Sequence, residues 1–221
     1  MKTSVSKLIE GKTGVLADRD VRELLKHYDI PTPRYQIVER EEDLDKIDVP
    51  FPVVLKVSSP KILHKTDVGG VYLDIKDRKE LETVFQDFKK RFPEEVFLVE
   101  EMMEKGVEII VGLVQDATFG LTIMVGIGGI FTELYKDVSF RIVPIERDDA
   151  VEMIEELKGK KLLEGFRNIP ANKEKVIDLL LKVSNMGFEL MEYIEEMDLN
   201  PVFVYKDSIC IVDAKIILKG G

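Results

Sequence analysis

One lysine stands inside an apolar run, Pro52-Val53-Val54-Leu55-Lys56-Val57. The run is short and β-branched, which predicts a buried strand over Val53 to Val57. An ammonium there must meet an anion or snorkel to the strand edge. A polar loop follows, carrying His64 between Leu63 and Lys65, and closes on Gly69-Gly70 before a second strand, Val71 to Ile75. Paired glycines let backbone N–H groups approach an anion, because no Cβ stands in the way. Lysine, histidine and a glycine loop together suit phosphate chemistry. The arrangement is not the Walker pattern, in which the lysine follows the glycines directly and a Ser or Thr comes next. His64 has no cysteine or second histidine near it in sequence, which argues against zinc. Neutral imidazole is a nucleophile toward phosphorus at neutral pH, so His64 is read either as a phosphate acceptor or as an ordinary loop residue.

The C-terminal hairpin yields a geometric expectation. If Lys206-Asp207 form a two-residue turn, opposed residues have numbers summing to 413, and Asn200 lies across from Asp213. Opposed side chains share a face, with Cβ atoms about 4.5–5.5 Å apart. A carboxylate beside an amide oxygen suits Mg²⁺, which takes hard oxygen ligands and leaves positions for phosphate oxygens. The competing reading makes Asn200-Pro201 a turn and Asp213 a solvated strand end, and a one-residue slip would break the pairing.

Three further positions qualify. Glu100 and Glu108 flank Met102-Met103, a soft apolar surface that could receive a flat ring, with carboxylates placed for ribose hydroxyls; the alternative is core methionine. Arg141, in Ser139-Phe140-Arg141-Ile142-Val143, is a second cation in a β run, read as a phosphate clamp or an ordinary ion pair. His27 falls near the end of the first predicted helix, where it complements the helix dipole.

The elements that must position these residues alternate between helix and strand. Asp18 is expected to cap a helix running to about Tyr28, and further helices are expected over Arg78 to Arg91, Asp148 to Leu157 and Lys173 to Glu195. Strands are expected over Val96 to Val99, Glu108 to Val114, Leu121 to Val125 and Val138 to Val143, with a second glycine turn at Gly126-Ile127-Gly128-Gly129. The pattern predicts an α+β or α/β chain in two lobes, residues 1–95 and 96–221. With 221 residues, 45% of them hydrophobic, the chain can build a sizeable core. The net charge of −10 argues against nucleic acid as a partner. No run approaches a membrane span, and the N-terminus has no apolar signal region, so a cytoplasmic location is expected. The single cysteine, Cys210, sits within a strand pattern and reads as core packing in a reducing compartment. Charges of both signs are interspersed, as in proteins from thermophiles.

With these residues set out, the chain resembles the ATP-grasp β subunit of ADP-forming acyl-CoA synthetases of the acetyl-CoA synthetase type, over roughly residues 12 to 218. The resemblance rests on Leu63-His64-Lys65-Thr66-Asp67-Val68-Gly69-Gly70-Val71, on Gly128-Gly129-Ile130-Phe131-Thr132-Glu133-Leu134-Tyr135-Lys136-Asp137-Val138-Ser139-Phe140-Arg141, and on Leu162-Leu163-Glu164-Gly165-Phe166-Arg167. Asp198-Leu199-Asn200-Pro201 with Val212-Asp213-Ala214 completes it. It implies a two-lobed ATP-grasp fold, ATP/ADP and Mg²⁺, and reversible conversion of acyl-CoA, ADP and phosphate to acid, ATP and CoA. It further implies a CoA-binding α subunit as partner, in an α2β2 assembly. Carried across residue by residue, Lys56 matches the nucleotide-phosphate lysine, Glu100, Glu101 and Met102 the adenine hinge, and Glu108 the ribose-binding glutamate. Asn200 and Asp213 match the Mg²⁺ ligands, and His64 a phosphohistidine that hands phosphate to ADP. Asp198 stands where related ligases carry a glutamate facing the partner's phosphohistidine. Two other readings are a stand-alone ATP-grasp carboxylate ligase working through an acyl phosphate, and a nucleotide-binding regulatory module without turnover.

Overall fold

The computed structural model describes residues 6–62, 65–129, 137–165 and 170–220. In chain order its first elements are α1 (Ser6–Ile9), β1 (Gly14–Val15), α2 (Asp18–His27), β2 (Tyr35–Val38), α3 (Glu41–Leu44), β3 (Val53–Ser58), β4 (Val71–Ile75), α4 (Arg78–Arg91) and β5 (Val96–Glu101). There follow β6 (Val107–Asp116), β7 (Gly120–Ile127), β8 (Val138–Ile142), α5 (Arg147–Glu156), a 3-10 turn at Lys160–Glu164, α6 (Lys173–Glu189), β9 (Ile194–Val204), β10 (Ile209–Ile211) and β11 (Ala214–Leu218). His64, residues 130–136 and Phe166-Arg167 of the sequence motifs lie outside the described residues.

The chain divides into two compact units, Pro33–Glu104 and the remainder, Met1–Thr32 with Lys105–Gly221. The expected division near residue 95 is therefore corrected, and the reason is strand pairing. β5 is an inner strand of the smaller sheet, hydrogen-bonded to both β2 and β3, so a cut before it would open that sheet. The first 32 residues belong with the C-terminal part because β1 pairs with β11 and the Leu16 amide bonds to the Ile216 carbonyl at 2.9 Å.

In the smaller unit the strands run in the order β2-β5-β3-β4, all antiparallel. Alternation puts Val53, Leu55 and Val57 of β3 with Phe97 and Val99 of β5 into a core closed by Leu44, Leu81, Phe85 and Phe88. The ring of Phe97 meets Phe85 and Phe88 edge-on, at 5.4 and 5.9 Å between centroids. The period of two then commits Val54, Lys56, Leu98 and Glu100 to the opposite face.

The larger unit has a sheet in the order β1-β11-β9-β6-β7-β8, with β10 paired to β9. Odd-numbered residues of β6 and β7, from Val107 to Leu113 and from Leu121 to Ile127, pack into one core with α2, α5 and α6. Even-numbered residues, among them Glu108 and Gly112, take the face turned from the helices. The helices differ from expectation in two details. Ala17 occupies the N-cap of α2, so Asp18 lies in its first turn, where a carboxylate still complements the helix dipole. α6 ends at Glu189, short of Glu195, because Ile194 is already paired to Leu218 in the sheet.

Tyr28 ties α2 to α6: its hydroxyl donates to Glu189 Oε2 at 2.8 Å. Burial, and then the carboxylate it bonds to, push the phenol well above its ordinary value near 10. The fold therefore favours the neutral phenol. That contribution is complete below pH 10 and is lost as pH rises from there toward the raised folded value. We expect Tyr28→Phe to cost about 1–2 kcal/mol at neutral pH and to flatten the fall in stability above pH 10, as read from urea unfolding across pH.

Candidate functional site

In the smaller unit, Lys56 is paired across the strand to Leu98, and Glu100 to Val54. Lys56 and Glu100 are thus diagonal neighbours on one face, and their ion pair closes at 2.6 Å with side chains 7% and 2% exposed. The strand does bury its lysine, and the anion that receives it within the protein is Glu100. Glu100 therefore uses its carboxylate on Lys56. In the adjoining hinge segment, the Glu101 amide bonds to Arg34 O at 2.9 Å and the Met102 amide to Pro52 O at 3.1 Å. These bonds fix the segment's path, with Glu101 and Met102 half-buried.

The amides of the glycine pair have partners within their own loop. The Gly69 amide donates to Thr66 O at 3.0 Å and the Gly70 amide to Lys65 O at 2.7 Å, so both N–H groups close the loop on itself. Gly69 has φ +62°, and a Cβ on Gly70 would lie 2.5 Å from Val57 Cγ1. Conformation and close packing against β3 account for both glycines. His64 lies outside the described residues.

In the larger unit the expected hairpin register holds along the strands. Val204 faces Ile209, Phe203 faces Cys210, Leu199 faces Ala214 and Asp198 faces Lys215, each pair summing to 413. The Asn200 amide donates to Asp213 O and the Val212 amide to Pro201 O, both at 3.0 Å, so Asn200 and Asp213 oppose one another within the ladder. Against β6 the register shifts here: Val111 pairs with Leu199 and Ile109 with Val202, so two residues of β9, Asn200 and Pro201, stand against one of β6, Ile110. This β-bulge reverses the alternation. Met197 and Leu199 face the core before it, Val202 and Val204 after it. Without the extra residue, either the polar Asp198–Asn200 stretch or the apolar Val202–Val204 stretch would face the wrong way. Asp198, across from Gly112, shares the face turned from the helices.

Glu108, across from Phe203, is on that same face. Its carbonyl accepts the Gly128 amide at 2.7 Å. A Cβ on Gly128 would stand 2.9 Å from Glu108 Cβ, and the Gly129 Cβ position lies 3.6 Å from Glu108 Oε2. The second glycine turn thus folds over this glutamate because it carries no side chain there.

Arg141 is not part of this grouping. It pairs with Ile123, a core residue, and so faces the helices. There it binds Glu156 Oε1 at 2.6 Å and Glu152 Oε2 at 3.4 Å. Arg141 and the Ser139 hydroxyl hold Glu156 below the usual carboxylate range. Arg141 makes an ion pair here because odd-numbered positions of β8 meet α5.

Two contributors went unseen in the sequence. The Asp137 carboxylate accepts the Lys158 and Gly159 amides at 2.7 and 2.8 Å, and so ties the exit of the second glycine turn to the residues after α5. Arg91, which reads as an ordinary cation at a helix end, donates to two carbonyls of the Lys65–Gly70 loop.

The donor set fits Mg²⁺. Asn200 and Asp213 offer two hard oxygens, and among the described residues there is no group of three or more His, Cys, Asp or Glu side chains that would form a closed protein cage. Among the described residues, no helix is long and apolar enough to cross a membrane.

The buried pair generates a stability prediction. Lys56→Ala strands the Glu100 charge and should cost about 3–5 kcal/mol, whereas the double variant Lys56→Met/Glu100→Leu should lose far less. Additive losses in a double-mutant cycle by urea unfolding would contradict the pairing.

The ATP-grasp domain model matches residues 7–218. The β subunit of ADP-forming acetate–CoA ligase I from Pyrococcus furiosus is 41% identical over 92% of this chain and 91% of its own. An ADP-forming acetate–CoA ligase II of Archaeoglobus fulgidus is 43% identical over 92% of this chain, which spans only 30% of that longer protein. Among solved structures, acetyl-coenzyme A synthetase 1 of Ca. Korarchaeum cryptofilum, described as bound to coenzyme A and Mg-AMPPCP, superposes with a TM-score of 0.85 at 38% identity, over 98% of this chain and 100% of that one. The two antiparallel sheets, the buried strand lysine and the long register across Asn200 and Asp213 belong to a chain of the ATP-grasp family of ADP-forming acetate–CoA ligase β subunits.

Proposed function

We propose that this chain is the nucleotide-binding β subunit of an ADP-forming acyl-CoA synthetase, with acetate as the reference acid. With a CoA-binding α subunit it passes a phosphoryl group to ADP in the reversible reaction acyl-CoA + ADP + phosphate = acid + ATP + CoA. The observation that carries the reading is the opposition of Asn200 and Asp213 in the unbroken hairpin register. An α2β2 assembly and a cytoplasmic location complete it.

The residues divide the work by chemistry. Lys56 supplies the cation for nucleotide phosphates, and Glu100 holds it in place until phosphate oxygens compete for the ammonium. Glu101 and Met102 line the adenine, and Glu108 accepts from ribose hydroxyls. Asn200 and Asp213 hold Mg²⁺, which when bound neutralises phosphate charge. His64 accepts the phosphoryl group: its ring nitrogen forms a new N–P bond as the N–P bond to the partner's histidine breaks. An ADP phosphate oxygen then attacks phosphorus and releases His64. Little covalent work falls to the protein beyond this, so rate depends on in-line positioning and charge neutralisation. Asp198, on the Asn200 strand and across from Lys215, orients the incoming histidine.

Two experiments test the reading. The first mixes the chain with its α subunit, acetyl-CoA, Mg²⁺ and radiolabelled phosphate. Acid-labile label should appear on this chain, be chased by ADP and be absent from His64→Ala. Turnover without the α subunit, or an active His64→Ala, would favour the stand-alone ligase, and nucleotide binding with no label a regulatory module. The second is calorimetric. Asn200→Ala and Asp213→Ala should weaken Mg-nucleotide binding by at least roughly 10- to 100-fold, the scale on which even outer-shell groups act, with melting temperature little changed. Undiminished affinity would remove the metal assignment.

A further inference from the structure

The Lys65–Gly70 loop is held by more than its own turn. Besides the two glycine amides, the Val57 amide of β3 donates to Gly70 O at 2.8 Å. The carbonyls of Val68 and Gly69 both accept from Arg91 Nη2, each at 2.9 Å. Arg91 is the last residue of α4, a helix fixed by the buried Phe85 and Phe88. Its guanidinium lies 5.5 Å from the Phe88 ring centroid and 5.1 Å from that of Phe92. Its other terminal nitrogen is 3.4 Å from Asp87 Oδ2. Stacking on one side and a charged partner on the other hold the planar fork in one orientation, and both carbonyls need that orientation.

Gly69 depends on the same contact. A Cβ there would lie 2.7 Å from Arg91 Nη2, and φ is already in the left-handed region. The backbone conformation favours glycine at 69, and a larger residue there would also push the guanidinium aside.

We propose that Arg91 is a positioning residue for phosphoryl transfer: it latches the Lys65–Gly70 loop to α4, so that the histidine next to that loop in sequence works from a fixed anchor. The proposal rests on the reading of His64 as phosphate acceptor. Its physical basis is that transfer in line tolerates little displacement, with about 1 Å costing on the order of 100-fold. A lone exposed ion pair such as Arg91–Asp87 would contribute little to stability, so the latch is expected to be read mainly in rate.

The test uses the complete enzyme with its α subunit and compares Arg91→Ala, Arg91→Lys and His64→Ala. Arg91→Ala should lower kcat roughly 10- to 100-fold, leave KM for ADP within about twofold, and speed hydrogen exchange at the Gly69 and Gly70 amides. Arg91→Lys should keep the charge yet rescue little, because an ammonium lacks the fork. Unchanged kcat in Arg91→Ala beside a dead His64→Ala would overturn the latch and leave the histidine reading standing. An active His64→Ala beside a slow Arg91→Ala with unchanged exchange would overturn both. Parallel loss of kcat, ADP affinity and melting temperature would make Arg91 merely structural.

Discussion

A β-strand presents only alternate side chains to one face, and this constraint governs both sheets of the protein. Each sheet commits one face to an apolar core under its helices and leaves the other to carry polar groups. In the smaller unit the committed face holds Leu55, Val57, Phe97 and Val99, so Lys56 and Glu100 must share the other. In the larger unit Glu108 and Asp198 are on the polar face for the same reason.

Strict alternation would have failed at one place, and the bulge in β9 is the remedy. The strand must deliver Asp198 and Asn200 to the polar face, then Val202 and Val204 to the core. One extra residue against β6 reverses the pleat between the two sets. Its hairpin partner takes the same step, with Ile211 and Ala214 keeping register across the Val212–Asp213 break. Asn200 and Asp213 stay opposed because both strands shift together. A bulge on one of them alone would have parted the two side chains.

Buried charge is handled differently in the two units. Lys56 is nearly sealed from solvent and is matched by the Glu100 carboxylate at ion-pair distance. Such a pair costs desolvation on both sides, which the close contact offsets. Arg141 answers the same problem from the helix-covered face with two glutamates of α5. Two cations in similar β runs thus meet different partners, depending on which face their strand parity gives them.

Much of this was legible in the residues. The run around Lys56, the helix over Arg78–Arg91, the strand Val71–Ile75 and the hairpin register centred on Lys206-Asp207 follow from local pattern and turn length, which act over a few residues. Motif order alone carried the family. What local pattern could not decide was everything set by pairing across long separations. That β5 belongs with the smaller sheet and residues 1–32 with the larger one is a matter of which edges meet. The same holds for Arg141, whose face depends on the core registry of β7, and for Gly69 and Gly70, whose amides are taken by their own loop. Arg91 reaches that loop from more than twenty residues along the chain, with nothing in its neighbours to announce it. The sequence by itself determined the elements, the family and the opposition of Asn200 and Asp213, because these rest on short-range geometry. Only the tertiary structure decided which polar groups are turned inward on protein partners, because a hydrogen-bonding group's partner is chosen by proximity in space.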